Sequence, residues 1–283
     1  MRLRSLLFAP GDSPRKAEKA LAGDADGVIL DLEDSVAPDA KPGAREAVAA
    51  LLGQVRHPNL LVRVNPPGTP WYLDDLAAVV RGRPAAVVLP KCAGPADLAA
   101  LDHHLEALEA AAGLAHGGVG VLALVTETAA SVHAMDYRGV TPRLRALLFG
   151  AEDLSADLGI APRDETGAYA APVAAARAAT LLAAAAAGVP ALDTPWPDPR
   201  DADGLAREAA AAARDGFAGK LCIHPSQVGP VNSAFTPSAE QVAWARRVRD
   251  GFAARPGAGV FALDGKMVDK PHLRLAERIL AHL

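Results

Sequence analysis

The chain has 283 residues, room for one large α/β domain or two ordinary ones, and its 51% hydrophobic against 22% charged content excludes a disordered chain. A formal net charge of −4 and a pI near 6.1 argue against a nucleic-acid-binding surface. No run approaches the roughly 18 consecutive apolar residues of a membrane span. Met1 to Pro10 lacks a signal-peptide apolar region and cleavage site, and Cys92 and Cys222 stand alone beside apolar runs with no CxxC spacing. Buried free thiols and a cytoplasmic location are the expectation.

Taken in order, Leu3 to Pro10 is an apolar run that stops at a Pro-Gly turn, which predicts a strand. Asp12 or Ser13 then caps a helix with Pro14 in its first turn and Arg15, Lys16 and Lys19 following. Gly27-Val28-Ile29-Leu30 enters Asp31-Leu32-Glu33-Asp34 as a second strand, and Lys41 to Leu52 has helical composition. Leu60 to Asn65 is a third strand and Ala85 to Leu89 a fourth, followed by Pro90-Lys91 and a helix from Ala96 to Ala112. Gly120–Val125, Leu144–Phe149, Val189–Leu192 and Gly219–Ile223 complete eight strands, with helices at Val173–Ala187 and Ala202–Arg214 between them.

Eight βα units in this length predict a (β/α)8, or TIM, barrel over residues 1–227. A doubly wound sheet is the competitor, but no GxGxxG follows the first strand. Residues 228–283 stand outside the repeat as a C-terminal helical extension, a lid or an inter-subunit arm, with a helix over Ser238–Ala254 and a terminal helix from Pro271.

In such a barrel the chemistry lies where the strands end. The polar residues at those ends are Asp31, Glu33, Asp34, Arg63, Asn65, Lys91, Glu127, Asp153, Asp193, Lys220 and His224. Any single one is an ordinary loop residue. Arg63 is less ordinary, because it interrupts an apolar run and an inward arginine needs a partner. Glu127 and Asp153 lie one βα unit apart, so they sit on neighbouring strands, and two carboxylates with open positions suit Mg²⁺. Taken alone, that pair is a weak motif. The His103-His104 pair lies on a solvated helix pattern, so no zinc cluster is indicated, and serine-hydrolase and P-loop motifs are absent. Arg15, Lys16 and Lys19 put positive charge and a helix start near the mouth, which suits an anionic ligand such as a CoA phosphate; an ordinary solvated face is the alternative.

Arg4-Ser5-Leu6-Leu7-Phe8-Ala9-Pro10-Gly11, Val28 to Val36 (VILDLEDSV), Arg63-Val64-Asn65, Leu89-Pro90-Lys91, Glu127-Thr128, Phe149 to Leu154 (FGAEDL) and Gly219 to Pro225 (GKLCIHP) together resemble the citrate lyase β-subunit family. That family lies in the metal-dependent aldolase group that includes malyl-CoA and citramalyl-CoA lyases. The resemblance runs nearly the full length. It implies a Mg²⁺-dependent carbon–carbon lyase on a barrel, usually a homotrimer, acting on a CoA or acyl-carrier thioester and a 2-oxo acid. It makes Glu127 and Asp153 the metal ligands. Arg63 becomes the binder of the substrate carboxylate or keto oxygen. On the residue reading, Glu127, Lys91 and Arg15 are further substrate-binding candidates. Met267-Val268-Asp269 is similar to a segment whose aspartate reaches a neighbouring subunit's site in some members. Asp269 is therefore the first candidate for proton transfer, with Glu33 or Asp34 second. Thr126 and Ala130 depart from the family's usual residues on either side of Glu127. A malyl-CoA thioesterase or malate synthase-like activity, and a subunit that needs an acyl-carrier partner, are the alternatives.

Overall fold

Eight parallel strands close into a barrel in strict sequence order, β1 pairing with both β2 and β8. They are β1 (Ser5–Pro10), β2 (Gly27–Asp31), β3 (Leu60–Arg63), β4 (Ala86–Leu89), β5 (Gly120–Leu124), β6 (Leu144–Leu148), β7 (Ala191–Asp193) and β8 (Gly219–Cys222). The computed structural model describes residues 2–55 and 57–281. The expected (β/α)8 architecture is the one found.

Strand parity divides the apolar residues into two cores. Leu6, Ile29, Leu61, Ala86, Val88, Leu122, Leu124, Ala146, Leu148, Leu192 and Leu221 fill the barrel interior. Their neighbours Leu7, Val28, Leu30, Val62, Val87, Val121 and Leu147 face outward against the helices. Both sets are buried, which is why the strands read as continuous apolar runs and not as alternating ones. Closure depends on Gly219. A Cβ there would lie 1.8 Å from the Leu3 carbonyl oxygen, so only glycine lets β8 meet the chain leading into β1.

The helices are α1 (Pro14–Leu21), α2 (Lys41–Gln54), α3 (Tyr72–Val80), α4 (Pro95–Ala111), α5 (Ala129–His133), α6 (Glu152–Leu158), α7 (Ala171–Ala187), α8 (Ala202–Asp215) and α9 (Val228–Ala234). α1, α2, α4 and α7 carry proline at their first positions, where the missing N–H costs nothing. α7 and α8 stop at Gly188 and Gly216, both left-handed. Four helices had not been anticipated: α3, α5, α6 and α9. Each has nine residues or fewer, too short for a clear 3.6 period.

α9 packs on β1 and β8, with Ser5 Oγ donating to Asn232 Oδ1 at 2.8 Å. Beyond it come α10 (Ala239–Ala253), a hairpin of β9 (Val260–Leu263) and β10 (Lys266–Asp269), and α11 (Lys270–Ala281). The segment read as a mainly helical extension therefore contains a β-hairpin. Asp264 and Gly265 both take positive φ, the two-residue turn that fits strand twist. Ala245, Val248, Val268 and Ala276 form a small separate core with Phe252 and Phe261. Arg278 of α11 lines a cavity with Pro190, Ala191 and Ala218, which puts this helix at the end where the strands begin, away from the mouth.

Candidate active site

The parity that fills the barrel also chooses which side chains reach its mouth. Two residues beyond inward Ile29 stands Asp31, and two beyond inward Leu61 stands Arg63. Asp31 and Arg63 are register partners across β2 and β3, so their side chains emerge side by side. Arg63 Nε and Nη2 donate to the two Asp31 oxygens, both at 2.7 Å, a bidentate pair. The Phe8 ring lies 4.7 Å from the guanidinium carbon. Asp31 also accepts from the backbone N–H groups of Glu33 and Ser35. Burial alone would push the Asp31 carboxyl up, but the Arg63 hydrogen bonds and charge hold it below the ordinary range.

The loop after β2 is fastened from beneath. The buried Lys41 ammonium donates to the carbonyls of Leu32 at 2.9 Å and Glu33 at 2.7 Å, and Asn65 Nδ2 donates to Leu32 at 2.9 Å. Asn65 is in turn held by buried Asp75, so it orients the loop and does not face the mouth. Glu33 is thereby fixed with its carboxylate 3.0 Å from Arg63 Nη1 and in contact with Lys91 Nζ. The oxygen that faces Arg63 is Oε2, buried and held there by charge without an aligned hydrogen bond. Burial raises the Glu33 pKa and outweighs the opposing pull of Arg63 and Lys91.

Lys91, just past β4, has φ of +48°, a left-handed conformation that costs a non-glycine residue about 1 kcal/mol or more. The conformation turns its N–H onto Glu127, while its ammonium reaches Glu33, Asp34 at 3.2 Å and Asp153 at 3.6 Å. Glu127 follows β5 and is 3% exposed. Burial, then the charges of Glu33 and Asp153, push its carboxyl up to about 8 despite the Lys91 N–H.

Thr126, beside it, links the ends of β5 and β6 twice. Its hydroxyl donates to the Gly150 carbonyl at 3.1 Å and accepts from the Gly150 N–H at 2.8 Å. Gly150 itself leaves room for Glu127, whose Cγ would sit 3.2 Å from an added Cβ. Asp153 lies in the first turn of α6, half exposed.

These groups surround a cleft of about 280 Å³ lined on one side by Asp31, Arg63, Glu127 and Asp153. Five carboxylates (Asp31, Glu33, Asp34, Glu127, Asp153) face two cations, Arg63 and Lys91. Among the described residues no three metal-binding side chains form a closed cage. A pair of carboxylates beside an uncompensated negative excess is the donor set of an open oxygen site, in which a hard dication keeps water or substrate oxygens.

Of the residues expected at the site, Glu33, Asp34, Arg63, Lys91, Glu127 and Asp153 come together. Arg15 does not join them: it is exposed on the first turn of α1, outside the residues lining the cleft. Asp269 does not join them either. It ends β10 in the extension, and its Oδ1 lies 2.5 Å from His272 Nδ1, a hydrogen bond that lowers its pKa.

One expectation needs correction. Lys220 is the second residue of β8, fully buried, and points away from the mouth because its neighbour Leu221 points in. It donates to Asp193 at 2.9 Å and Glu208 at 2.8 Å, and Asp193 is also held by Arg177, so both belong to an ionic network between barrel and helices. His224 caps the turn Pro225–Gln227 and bonds Ser226, a loop-orienting role.

Reading residues singly missed the pairing of Asp31 with Arg63 and the support from Phe8 and Lys41. The signal for the first was the equal offset of Asp31 and Arg63 from an inward aliphatic residue.

A family model described as HpcH/HpaI aldolase/citrate lyase matches residues 4–225. The chain belongs to this family. Within the aldolase/citrate lyase family it is 39% identical over 275 residues to the citrate lyase subunit beta-like protein of Mycobacterium tuberculosis, covering 97% of this chain and 93% of that one. It is 34% identical over 297 residues to the L-malyl-CoA/beta-methylmalyl-CoA lyase of Rhodobacter capsulatus, covering 98% and 93%. Among solved structures, the Mycobacterium tuberculosis protein CitE in complex with magnesium, acetoacetate and coenzyme A superposes with a TM-score of 0.80 at 38% identity, over 99% of this chain and 97% of that one.

Proposed function

We propose that this member of the family is a Mg²⁺-dependent carbon–carbon lyase. Its substrate is a 3-hydroxyacyl thioester of the citryl-, malyl- or citramalyl-CoA type, which it cleaves to a 2-oxo acid and an acyl thioester or forms in reverse. The observation that carries the reading is the convergence of Glu127, Asp153 and an Asp31-anchored Arg63 on one cleft. The names of the relatives and the magnesium, acetoacetate and coenzyme A held by CitE support it.

Glu127 and Asp153 hold the ion, which when bound supplies Lewis acidity toward the oxygens of the 2-oxo-acid unit. Arg63 still has N–H groups to offer beyond those given to Asp31, and they orient the substrate carboxylate and offset charge as the bond breaks. Asp31 and Phe8 keep the guanidinium from turning, so the clamp is prepaid in the free protein.

In the cleavage direction the 3-hydroxyl loses its proton. The bond from its carbon to the thioester α-carbon then breaks, and the electron pair passes to the thioester enolate, which takes up a proton. Glu33, with its raised pKa, is a proton holder one contact behind the cleft wall, against Arg63 and Lys91. Asp269 is our first choice for proton transfer. On this reading it acts in the cleft of a neighbouring subunit of a homotrimer, because in its own chain it lies in the extension away from the mouth. Arg15, exposed at the start of α1, is assigned to the phosphates of CoA.

The test is a panel of malyl-, citramalyl- and citryl-CoA incubated with purified protein and Mg²⁺, with 2-oxo acid and free CoA measured separately. Release of a 2-oxo acid with an intact acyl-CoA is the expected result. Free CoA without any 2-oxo acid would replace the lyase with a thioesterase.

A further inference from the structure

We propose that the Lys91 ammonium is a built-in counter-cation of the acid cluster. It gives up Asp153 when a divalent ion binds, and Lys91 thereby sets the affinity of the site as a positioning residue. The inference rests on the metal reading of Glu127 and Asp153.

One residue touches every carboxylate of the cluster that Asp31 and Arg63 do not settle between themselves. Lys91 gives its backbone N–H to Glu127 and its ammonium to Glu33, Asp34 and Asp153. The left-handed backbone makes this possible, turning the N–H toward β5 while the side chain leans toward the loop after β2. Without a dication, this one residue thus ties four acids together: its ammonium answers three of them, sharing Glu33 with Arg63, and its backbone N–H holds Glu127.

The three ammonium contacts are unequal. Glu33 is the closest and is 3% exposed, whereas Asp153, at 3.6 Å and 38% exposed, is the furthest. A dication taken up by Glu127 and Asp153 repels the ammonium, and like charges a few ångströms apart in a partly buried cleft interact strongly. The contact that yields is the long one to Asp153, and Glu33 with Asp34 retains the ammonium. Lys91 therefore keeps the ligands assembled in the free protein and competes with the ion that replaces it.

The experiment titrates Mn²⁺ and Mg²⁺ into metal-stripped wild type, Lys91→Gly, Lys91→Met and Lys91→Arg by calorimetry, with Mn²⁺ spin resonance as a second readout. Glycine removes the ammonium, keeps the N–H and relieves the left-handed backbone, so it is the variant least at risk of misfolding. The expected result is Mn²⁺ binding about tenfold tighter in Lys91→Gly, roughly 1.4 kcal/mol. Lys91→Met follows it, and Lys91→Arg, which keeps the charge, stays near wild type. Lys91→Gly affinity within threefold of a wild type that binds, or weaker, overturns the proposal. A wild type that binds no Mn²⁺, or binds it undiminished in Asp153→Asn, overturns the metal reading instead.

Discussion

Glu127→Gln in the metal-free protein tests whether the acid cluster is as electrostatically loaded as its geometry implies. Glutamine keeps an oxygen for the Lys91 N–H and nearly the same volume, but it cannot ionise. In the folded chain Glu127 keeps its proton to a pH of about 8, against an ordinary 4.5. A folded pKa above the unfolded one means that the contribution of the group to stability is complete below pH 4.5. It is lost as pH rises toward 8, where a buried charge must form beside Glu33 and Asp153. At about 1.4 kcal/mol per decade of proton affinity, the loss is on the order of 4–5 kcal/mol. For a chain of this size that is roughly 8 °C in melting temperature. Melting wild type and variant in excess chelator at pH 5 and pH 9 reads it directly. The variant should match wild type at pH 5 and melt several degrees higher at pH 9, although it has lost a metal ligand on our reading. A difference that does not grow with pH would refute the reasoning.

Asp31→Asn leaves Arg63 without its bidentate anchor, so binding of a 2-oxo acid with Mg²⁺ should weaken at least about tenfold, roughly 1.4 kcal/mol. Wild-type affinity by calorimetry would show that Arg63 needs no aiming. Lys220→Met leaves Asp193 and Glu208 buried with a cation removed, which costs about 3 kcal/mol. The expected outcome is a lower melting temperature with unchanged kcat/KM, and an unchanged melting temperature would make the network ornamental. Asp269→Asn should keep 2-oxo-acid binding while cutting turnover. Mixing it with Glu127→Gln subunits, followed by reassembly, should restore part of the activity if the aspartate serves a neighbour. Full activity of Asp269→Asn alone would remove the residue from the mechanism.

The barrel was legible because each strand is a short apolar run stopped by glycine, proline or an acid, and because parallel strands buried on both sides carry no alternation to confuse the count. α3 escaped notice because nine residues with Asp74 and Asp75 near its start show little period, and α6 because its first turn is the acid loop itself. The functional carboxylates were legible as strand-end residues. Their partnerships were not, since the bond between Asp31 and Arg63 needs the register of β2 with β3. Lys220 was misplaced because a polar residue near a strand end was assumed to face the mouth, whereas counting back one from inward Leu221 turns it outward. The position of Asp269 depends on how the hairpin and α11 dock on the far end of the barrel, and no local pattern encodes that.

The cleft is not the same all the way round. Among the described residues, every charged side chain that lines it comes from the arc β2 to β6, while the arc β7, β8 and β1 offers Thr194, Pro195, Leu221, Ile223, Phe8 and Pro10. The circle of strands thus has a wet half and a greasy half. A symmetrical dicarboxylate would have nowhere to put its second charge. A molecule with an acid head and an uncharged neck has a single way to lie down, with the head over β2 to β6 and the neck leaving across β7 to β1. Orientation is thereby decided before any contact specific to the neck is made.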